Sequence, residues 1–215
     1  MRSDHRNSQR LNSQIERRYE QAKPHIEEAA KLYNIDQRYL AGLMYLESLG
    51  FNSQATSPTG AAGLGQFVRG TWRSVVRSSS HPEMKAIAGL SNNQLDLKRY
   101  DPKLNAIATA EYVGASYQNV KRAFARYGIT GEPTAAELYS FHNTGNAAMA
   151  IAARKGLTVR QAPIMNLTQK EDAVRNNASL YDRGVDTLAE NYMQRVTQKL
   201  ENGAAYVTAS NAFRP

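Results

Sequence analysis

The 215-residue chain contains no cysteine, and this absence excludes disulfide bonds, a thiol nucleophile and metal sites with cysteine ligands. It also has no uninterrupted apolar run of about 20 residues, the length that a membrane-spanning helix needs. The first 20 residues are polar and charged and lack the apolar segment of a signal peptide. The sequence therefore predicts no transmembrane segment and no signal peptide.

Negative charge is in the minority, with 19 aspartate and glutamate residues against 27 lysine and arginine residues and a formal net charge of +8. Such a chain attracts anionic polymers, among them nucleic acid and the bacterial cell wall. The basic residues are scattered, and there is no helix-turn-helix signature, zinc spacing or ribonucleoprotein motif. We therefore expect no specific binding of nucleic acid. None of the four histidines forms a pair at helical spacing, so no metal and no cofactor are expected.

Alternation of apolar and polar residues, typical of strands, is almost missing, whereas apolar residues recur at helical spacing along most of the chain. This pattern predicts an all-α fold with a polar arm over residues 1–20, a central domain over 21–160 and a helical extension over 161–215. An irregular loop or minimal hairpin is expected over residues 52–70. The predicted helices begin near Pro24 and then cover residues 37–49, 72–76, 101–128, 134–142, 146–155 and 179–202.

The helix predicted over residues 37–49 carries an acidic residue in an apolar stripe. Leu40, Leu43 and Met44 form the stripe, and Glu47 takes the next position on the same face. Burial disfavours the charged form of a carboxyl group and raises its pKa, and a general acid near neutral pH needs that property. A glutamate in the last turn of a helix can equally bend towards solvent. Helical spacing alone favours this second interpretation.

A loop rich in small residues follows. From Ser57 to Phe67 the chain reads Ser-Pro-Thr-Gly-Ala-Ala-Gly-Leu-Gly-Gln-Phe. Small residues allow another backbone or a flat ligand to come close, and Ser57 and Gln66 could form a sugar-binding wall. The Lys-Ser/Thr ending of a phosphate-binding loop is missing. A plain glycine-rich turn is the alternative.

Four motifs in this order resemble the signature of the lytic transglycosylases. They are Glu47-Ser48 with Asn52, the stretch from Ser57 to Phe67 with Gly70-Thr71, then Asp101-Pro102 with Asn105 and Tyr112, and finally Phe141-His142-Asn143-Thr144-Gly145. The resemblance covers about residues 35–155. It implies a lysozyme-like helical domain, as in goose-type lysozymes and soluble lytic transglycosylases, with residues 21–160 as the catalytic domain and a C-terminal helix beyond it.

The resemblance also implies a site and a reaction on the glycan strands of peptidoglycan. Glu47 would protonate the glycosidic oxygen between N-acetylmuramic acid and N-acetylglucosamine, and would then act as the base that closes a 1,6-anhydro ring. The acetamido group of the substrate would stabilise the cation in place of a protein nucleophile. The residues implied in substrate binding are Ser48, Ser57, Gly63, Gln66, Phe67, Tyr112, His142 and Asn143.

The chain departs from the family pattern at two positions, where Gly65 replaces the usual methionine and His142 the usual tyrosine. A Gly-Leu-x-Gln-Phe stretch followed by Thr71-Trp72 resembles wall-degrading proteins carried by phages. We therefore expect a virion-associated enzyme that acts in the bacterial periplasm and cell wall and locally opens the wall during entry, with other virion proteins as partners. Residues 1–20 and 203–215 hold no motif residue and are expected to be dispensable for cleavage.

Two alternatives stay open. A muramidase of the same fold, acting as an endolysin, would need a second carboxylate to activate water, and Asp96 and Asp101 are the candidates. Asp101 is better placed to cap its own helix. The other alternative is a non-catalytic virion component involved in ejection, against which the intact Glu47-Ser48 pair argues.

Overall fold

The structure is a computed structural model that describes the backbone of residues 2–212 and the side chains of residues 9–208. Met1 and residues 213–215, which belong to the predicted arm and C-terminal segment, lie outside this description. Over the described range the chain forms ten α-helices, three short 3₁₀ turns and no strand, which confirms the all-α prediction. The helices are α1 (Arg2–Tyr33), α2 (Gln37–Glu47), α3 (Arg69–Ser78), α4 (Pro82–Ile87), α5 (Asn92–Lys98), α6 (Pro102–Arg126), α7 (Ala135–Thr144), α8 (Ala148–Arg154), α9 (Leu167–Asn176) and α10 (Ala189–Ala212).

The chain divides into two compact units. The first consists of Met1–Glu111 and Leu200–Pro215, and the second of Tyr112–Lys199. Helix α6 begins in the first unit and ends in the second, and α10 begins in the second and ends in the first. These borders differ from the predicted ones at residues 20 and 160. Compact units are not functional domains, and the predicted division into arm, catalytic domain and extension stays a prediction.

Helix α1 corrects the expectation of a polar arm. It begins at Arg2 rather than near Pro24, and Pro24 lies inside it. Ile15 and Tyr19 are buried together with Ile26 further along the helix. Because Ile15 and Tyr19 are isolated among polar neighbours, the helical period of this segment is hidden in the sequence. The described part of residues 1–20 is therefore a helix that contributes to the core of the first unit.

Helix α2 is confirmed at its start and is buried along most of its length. Asp36 is its N-cap, since the side chain accepts a hydrogen bond of 2.8 Å from the backbone N–H of Arg38. The predicted stripe of Leu40, Leu43 and Met44 has no exposed surface. The helix ends at Glu47, two residues before the predicted end.

The final helix starts and ends later than predicted. It packs closely on α2, because a Cβ atom on Gly42 would lie within 3.0 Å of the Leu200 carbonyl oxygen, and one on Gly203 within 3.0 Å of Tyr45. Val207 is buried as well. The described residues from 203 onward therefore extend the core of the first unit.

Two short helices, α4 and α5, occupy a segment in which no helix was expected. They have six and seven residues, too few to show a helical period in the sequence. A capping box between Ser91 and Gln94 starts α5. Trp72 of α3 is fully buried, and its indole N–H donates a hydrogen bond of 2.7 Å to the Leu95 carbonyl of α5.

In the second unit, α7 and α8 confirm the two short helices that were predicted there. A capping box between Thr134 and Glu137 starts α7, and Gly145 ends it with a left-handed φ of 73°. The buried Glu137 carboxylate binds Arg154 of α8 with an Nε–Oε1 distance of 2.5 Å. Helix α9 was not predicted. Among the described residues, no helix is both long and apolar enough to cross a membrane.

The ion pair between Asp96 and Arg73 should make the stability of the first unit depend on pH. Asp96 is 8% exposed and accepts hydrogen bonds of 2.9 and 2.6 Å from the guanidinium group of Arg73. These bonds, assisted by the positive charges of Arg73, Arg99 and Arg69, hold the pKa of Asp96 below its ordinary value. Its stabilising effect is thus complete above the unfolded-state pKa of about 3.9, and it is lost as the pH falls through the lower folded-state pKa.

We expect Asp96→Asn to lower the melting temperature at pH 7 by about 4 °C, since one charged, paired group is lost. The difference from the wild type should shrink as the pH is lowered from 4 to 2. Thermal melts at pH 7, 4, 3 and 2 measure this effect. Asp186→Asn is the control, because the Arg160–Asp186 pair has the same two-bond geometry but is exposed. A deficit that stays constant down to pH 2 would contradict the prediction.

Candidate active site

Glu47 is the last residue of α2 and its side chain is half-buried. The next residue, Ser48, is fully buried and caps the helix, with its N–H and hydroxyl groups 3.0 and 2.5 Å from the Met44 carbonyl oxygen. Ser48 was predicted to bind substrate. The structure instead commits its hydroxyl group to the end of the helix, so that Ser48 fixes the backbone beside Glu47.

A left-handed turn follows directly. Leu49, Gly50 and Phe51 have φ angles of 54°, 83° and 58°. For residues other than glycine this conformation costs on the order of 1–3 kcal/mol each and persists only where the surroundings enforce it. The turn is closed by two backbone hydrogen bonds, from Gly50 to Tyr45 at 2.9 Å and from Asn52 to Ser48 at 3.2 Å.

An aromatic cluster of Tyr19, Tyr45, Phe51 and Tyr206 holds this turn. The ring of Phe51 lies 5.0 Å from that of Tyr19, 5.5 Å from Tyr45 and 5.6 Å from Tyr206, in tilted or edge-on arrangements. Helices α1 and α10 therefore both pack on the residues that follow Glu47. Sequence reasoning missed this cluster because Tyr19 and Tyr206 lie near opposite ends of the chain.

The glycine-rich loop forms a minimal hairpin, as predicted. Ala62 and Phe67 exchange two backbone hydrogen bonds of 3.1 Å, and Ala62 also bridges to Thr56. The tip of the hairpin reverses at Gly63 and Gln66, whose φ angles are 82° and 48°. The left-handed conformation at Gly63 is one that glycine adopts without cost.

A chain of hydrogen bonds connects the hairpin to the end of α2. The carbonyl oxygen of Ser48 accepts from Asn52, and that of Asn52 accepts from Ala55 at 2.9 Å. The Ala55 carbonyl oxygen in turn accepts from the N–H of Gly63 at 3.0 Å and from Nε2 of Gln66 at 3.1 Å. The side chain of Gln66, which was predicted to bind substrate, therefore also supports the loop.

Two buried polar residues clamp the loop from the other side. Asn105 is fully buried; its Oδ1 accepts from the N–H of Gly65 at 2.7 Å, and its Nδ2 donates to the Arg99 carbonyl at 2.7 Å. Nη1 of Arg99 donates to the carbonyl groups of Gly60 and Phe67 at 2.7 and 3.0 Å. The Asp-Pro-x-x-Asn motif thus acts as a structural clamp on the loop.

The loop presents two half-buried polar side chains, those of Ser57 and Gln66. Oγ of Ser57 lies 2.8 Å from Oγ1 of Thr59 and accepts from the N–H of Ala61 at 3.1 Å. Phe67, in contrast, is almost completely buried and packs on Trp72 with ring centroids 5.8 Å apart. Phe67 is a core residue, which corrects its prediction as a substrate contact.

Three residues that were predicted to bind substrate lie close together in the second unit, namely Tyr112, His142 and Asn143. The rings of Tyr112 and His142 meet edge-on at 5.3 Å, and Tyr139 stacks on His142 at 6.5 Å. Burial raises the pKa of Tyr112, so its hydroxyl group stays protonated at neutral pH. Asn143 follows His142 on α7, and both side chains are half-buried.

Two residues beyond the predicted motifs orient Asn143. Nδ2 of Asn177 donates to Oδ1 of Asn143 at 3.1 Å, and Nδ2 of Asn143 donates to the hydroxyl oxygen of Tyr192 at 3.3 Å. Tyr192 lies on α10, whose pattern was recognised only as a helix. Asn177 follows α9, which showed no pattern at all, so nothing local in the sequence pointed to either contact.

Tyr39 is a further residue that sequence reasoning missed. It lies about two helical turns before Glu47 on α2. Its buried hydroxyl group finds no hydrogen-bond partner among the described residues. Burial and, to a smaller extent, the negative charge of Glu47 raise the pKa of this hydroxyl group. It therefore stays a donor within electrostatic reach of Glu47.

The two carboxylates considered for a muramidase mechanism have structural roles. Asp96 is bound to Arg73 as described above. Oδ1 of Asp101 accepts from the N–H groups of Lys103 and Leu104 at 2.9 and 3.1 Å, which confirms that Asp101 caps α6.

The structure explains why glycine occupies position 65. A Cβ atom there would lie within 3.0 Å of Oγ1 of Thr109, whereas one at Gly63 would lie within 3.0 Å of the Arg99 backbone oxygen.

We expect Gly65→Ala to destabilise the protein by about 1–3 kcal/mol through overpacking, and Thr109→Ala in the same chain to restore part of the loss. Gly63→Ala should not be rescued by Thr109→Ala, because it collides with backbone. A double-mutant cycle from denaturant melts measures the coupling; additive effects of Gly65→Ala and Thr109→Ala would refute it.

Comparison of the sequence with known proteins matches it to a family. The family model described as "Transglycosylase SLT domain" matches residues 24–153, which include Glu47, the hairpin and Asn143. Membrane-bound lytic murein transglycosylase E of Buchnera aphidicola subsp. Baizongia pistaciae (strain Bp) is 27% identical to this chain over 153 residues. The alignment covers 70% of this chain and 66% of that relative, slightly less than two thirds of its length. Because the family match covers more than half of the sequence, the chain belongs to the family of SLT-domain transglycosylases.

Proposed function

We propose that this chain is a peptidoglycan lytic transglycosylase in which Glu47 is the acid and the base. The observation that carries the proposal is the placement of Glu47, half-buried at the end of a buried helix and followed by a turn held from two sides. Family membership supports the same reaction class. The substrate would be the β-1,4 bond between N-acetylmuramic acid and N-acetylglucosamine in the glycan strand.

The reaction would have two steps. In the first, protonated Glu47 gives its proton to the glycosidic oxygen, the bond from that oxygen to C1 breaks, and the acetamido oxygen of the substrate binds C1. In the second, the Glu47 carboxylate takes the proton of the C6 hydroxyl group, whose oxygen replaces the acetamido oxygen at C1. Glu47 is then protonated again, and the released sugar ends in a 1,6-anhydro ring.

The remaining groups would bind the strand. Ser57 and Gln66 are half-buried and polar and lie on the loop that is bonded to the end of α2. In the second unit, Tyr112, His142 and Asn143 offer aromatic faces, a ring nitrogen and an amide group. We assign these five side chains to contacts with the sugars.

The commitment of Asp96 and Asp101 to other partners favours a transglycosylase over a muramidase. A hydrolase of this kind needs a second carboxylate that holds water. Asp96 is paired with arginine, and both oxygens of its carboxylate are used. Asp101 is bonded to the first turn of α6.

Replacing Glu47 by Gln should abolish cleavage, because the amide can neither give nor take the proton, and such groups contribute about 10²- to 10⁴-fold in rate. Purified sacculi treated with the wild type should release muropeptides that end in 1,6-anhydro-N-acetylmuramic acid, each lighter by one water than a muramidase product. Mass spectrometry of the soluble products measures both effects. Glu20→Gln, on the exposed surface of α1, is the control and should keep full activity.

Two outcomes would contradict these expectations in different ways. An active Glu47→Gln protein with a normal melting curve would remove Glu47 from the mechanism. Products with reducing ends only would leave Glu47 as an acid and establish the muramidase reaction. In that case, loss of activity in a folded Asp101→Asn protein would identify the second carboxylate.

We further propose that the enzyme is carried in a phage particle and acts in the bacterial periplasm and cell wall, together with other virion proteins. The support is the resemblance of the Gly-Leu-x-Gln-Phe stretch and of Thr71-Trp72 to wall-degrading proteins carried by phages. Proteomics of purified virions should detect the chain at a fixed copy number per particle. Its presence only in lysates of infected cells would instead indicate an endolysin.

A further inference from the structure

Leu49 is the most exposed large apolar side chain among the described residues, with 80% of its surface open to solvent. An exposed side chain contributes no stabilisation from burial of apolar surface. A single exposed leucine is nevertheless common on protein surfaces and needs no explanation by itself. Leu49 combines this exposure with a φ of 54°, which leucine resists, and among the exposed large apolar residues of the described part of the chain it shares that combination with Ile164 alone (55% exposed, φ 74°). The residue therefore costs stability through its backbone and returns none through its side chain.

The fold imposes this conformation on Leu49 through its neighbours. Phe51 is buried in the aromatic cluster, and a Cβ atom on Gly50 would lie within 3.0 Å of the side chain of Ile15, so this part of the turn has little freedom. The hydrogen bond from Asn52 to Ser48 closes the turn around Leu49. Glycine or asparagine would take the same backbone at lower cost. Neither packing nor backbone geometry thus accounts for a leucine at this position.

The place of Leu49 in the chain offers a reason. Two peptide units separate it from Glu47, so their Cα atoms are at most about 7 Å apart. A polymer whose bond is cleaved at Glu47 would therefore lie near the turn that carries Leu49. Glycan strands of peptidoglycan expose apolar groups, namely the methyl groups of their acetamido and lactyl substituents and the C–H faces of the sugar rings.

We propose that Leu49 is a specificity-determining residue that binds an apolar group of the glycan strand beside the bond to be cleaved. The proposal rests on the assignment of Glu47 as the catalytic residue. The left-handed turn holds the side chain out of the core, and the aromatic cluster keeps the turn rigid. The strain is retained because the leucine contributes to substrate binding.

The test measures binding and stability together. In the inactive Glu47→Gln protein, co-sedimentation with purified sacculi gives the dissociation constant, and Leu49→Asn should raise it about fivefold, since part of a leucine side chain loses its apolar contact. In the active protein, Leu49→Asn should raise KM for soluble glycan strands by a similar factor and change kcat little. The melting temperature should stay the same or rise, because asparagine tolerates the left-handed backbone.

Leu97→Asn is the matched control, since Leu97 is 71% exposed but lies on α5 with a helical backbone. It should leave both the dissociation constant and KM unchanged. Unchanged binding of Leu49→Asn would overturn the proposal, and so would a fall in melting temperature that parallels the loss of binding, since Leu49 would then be structural. Failure of the wild type to cleave strands would instead overturn the proposed function, while the binding measurement would still decide the role of Leu49.

Discussion

The backbone directly after Glu47 turns in a direction that leucine and phenylalanine resist, and much of the first unit is arranged to hold it there. Phe51 can keep its left-handed conformation because its ring is packed between α1, α2 and α10. The close crossing of α2 and α10 at Gly42 and Gly203 brings Tyr206 into range. Segments that carry no motif residue thus contribute to the geometry beside the candidate catalytic residue.

The glycine-rich loop depends on a second constraint, the satisfaction of buried polar groups. Asn105 and Arg99 are buried, and each is bonded to backbone groups of the loop. Loss of either side chain would leave backbone carbonyl or amide groups without partners in the interior, which costs more than the bonds themselves contribute. The loop is therefore rigid although it is rich in glycine, and its half-buried polar side chains are presented in a defined arrangement.

Electrostatics distinguishes Glu47 from Asp96 and Asp101, the two other carboxylates considered for catalysis. Asp96 and Asp101 lower the free energy of the folded state through arginine and a helix end, and a charged carboxylate suits both roles. Glu47 stands at the end of a helix whose buried face is otherwise apolar. The charge of Glu47 acts on the buried hydroxyl group of Tyr39 and helps to raise its pKa, so that this hydroxyl group stays protonated. A carboxyl group in such surroundings can exchange a proton with a substrate, as the proposed mechanism requires.

The sequence by itself determined the helical class, the order of the motifs, a loop or minimal hairpin after α2 and the unusual position of Glu47, because all of these depend on residue types and spacing between near neighbours. Tertiary structure alone decided that Ser48 and Phe67 are buried, since burial depends on which helices and loops pack around them. It also decided that both ends of the first unit support the turn at residues 49–51, and that Asn177 and Tyr192 orient Asn143. Such contacts join residues far apart in the chain, whose meeting depends on the packing of whole helices and leaves no periodic signal in either segment.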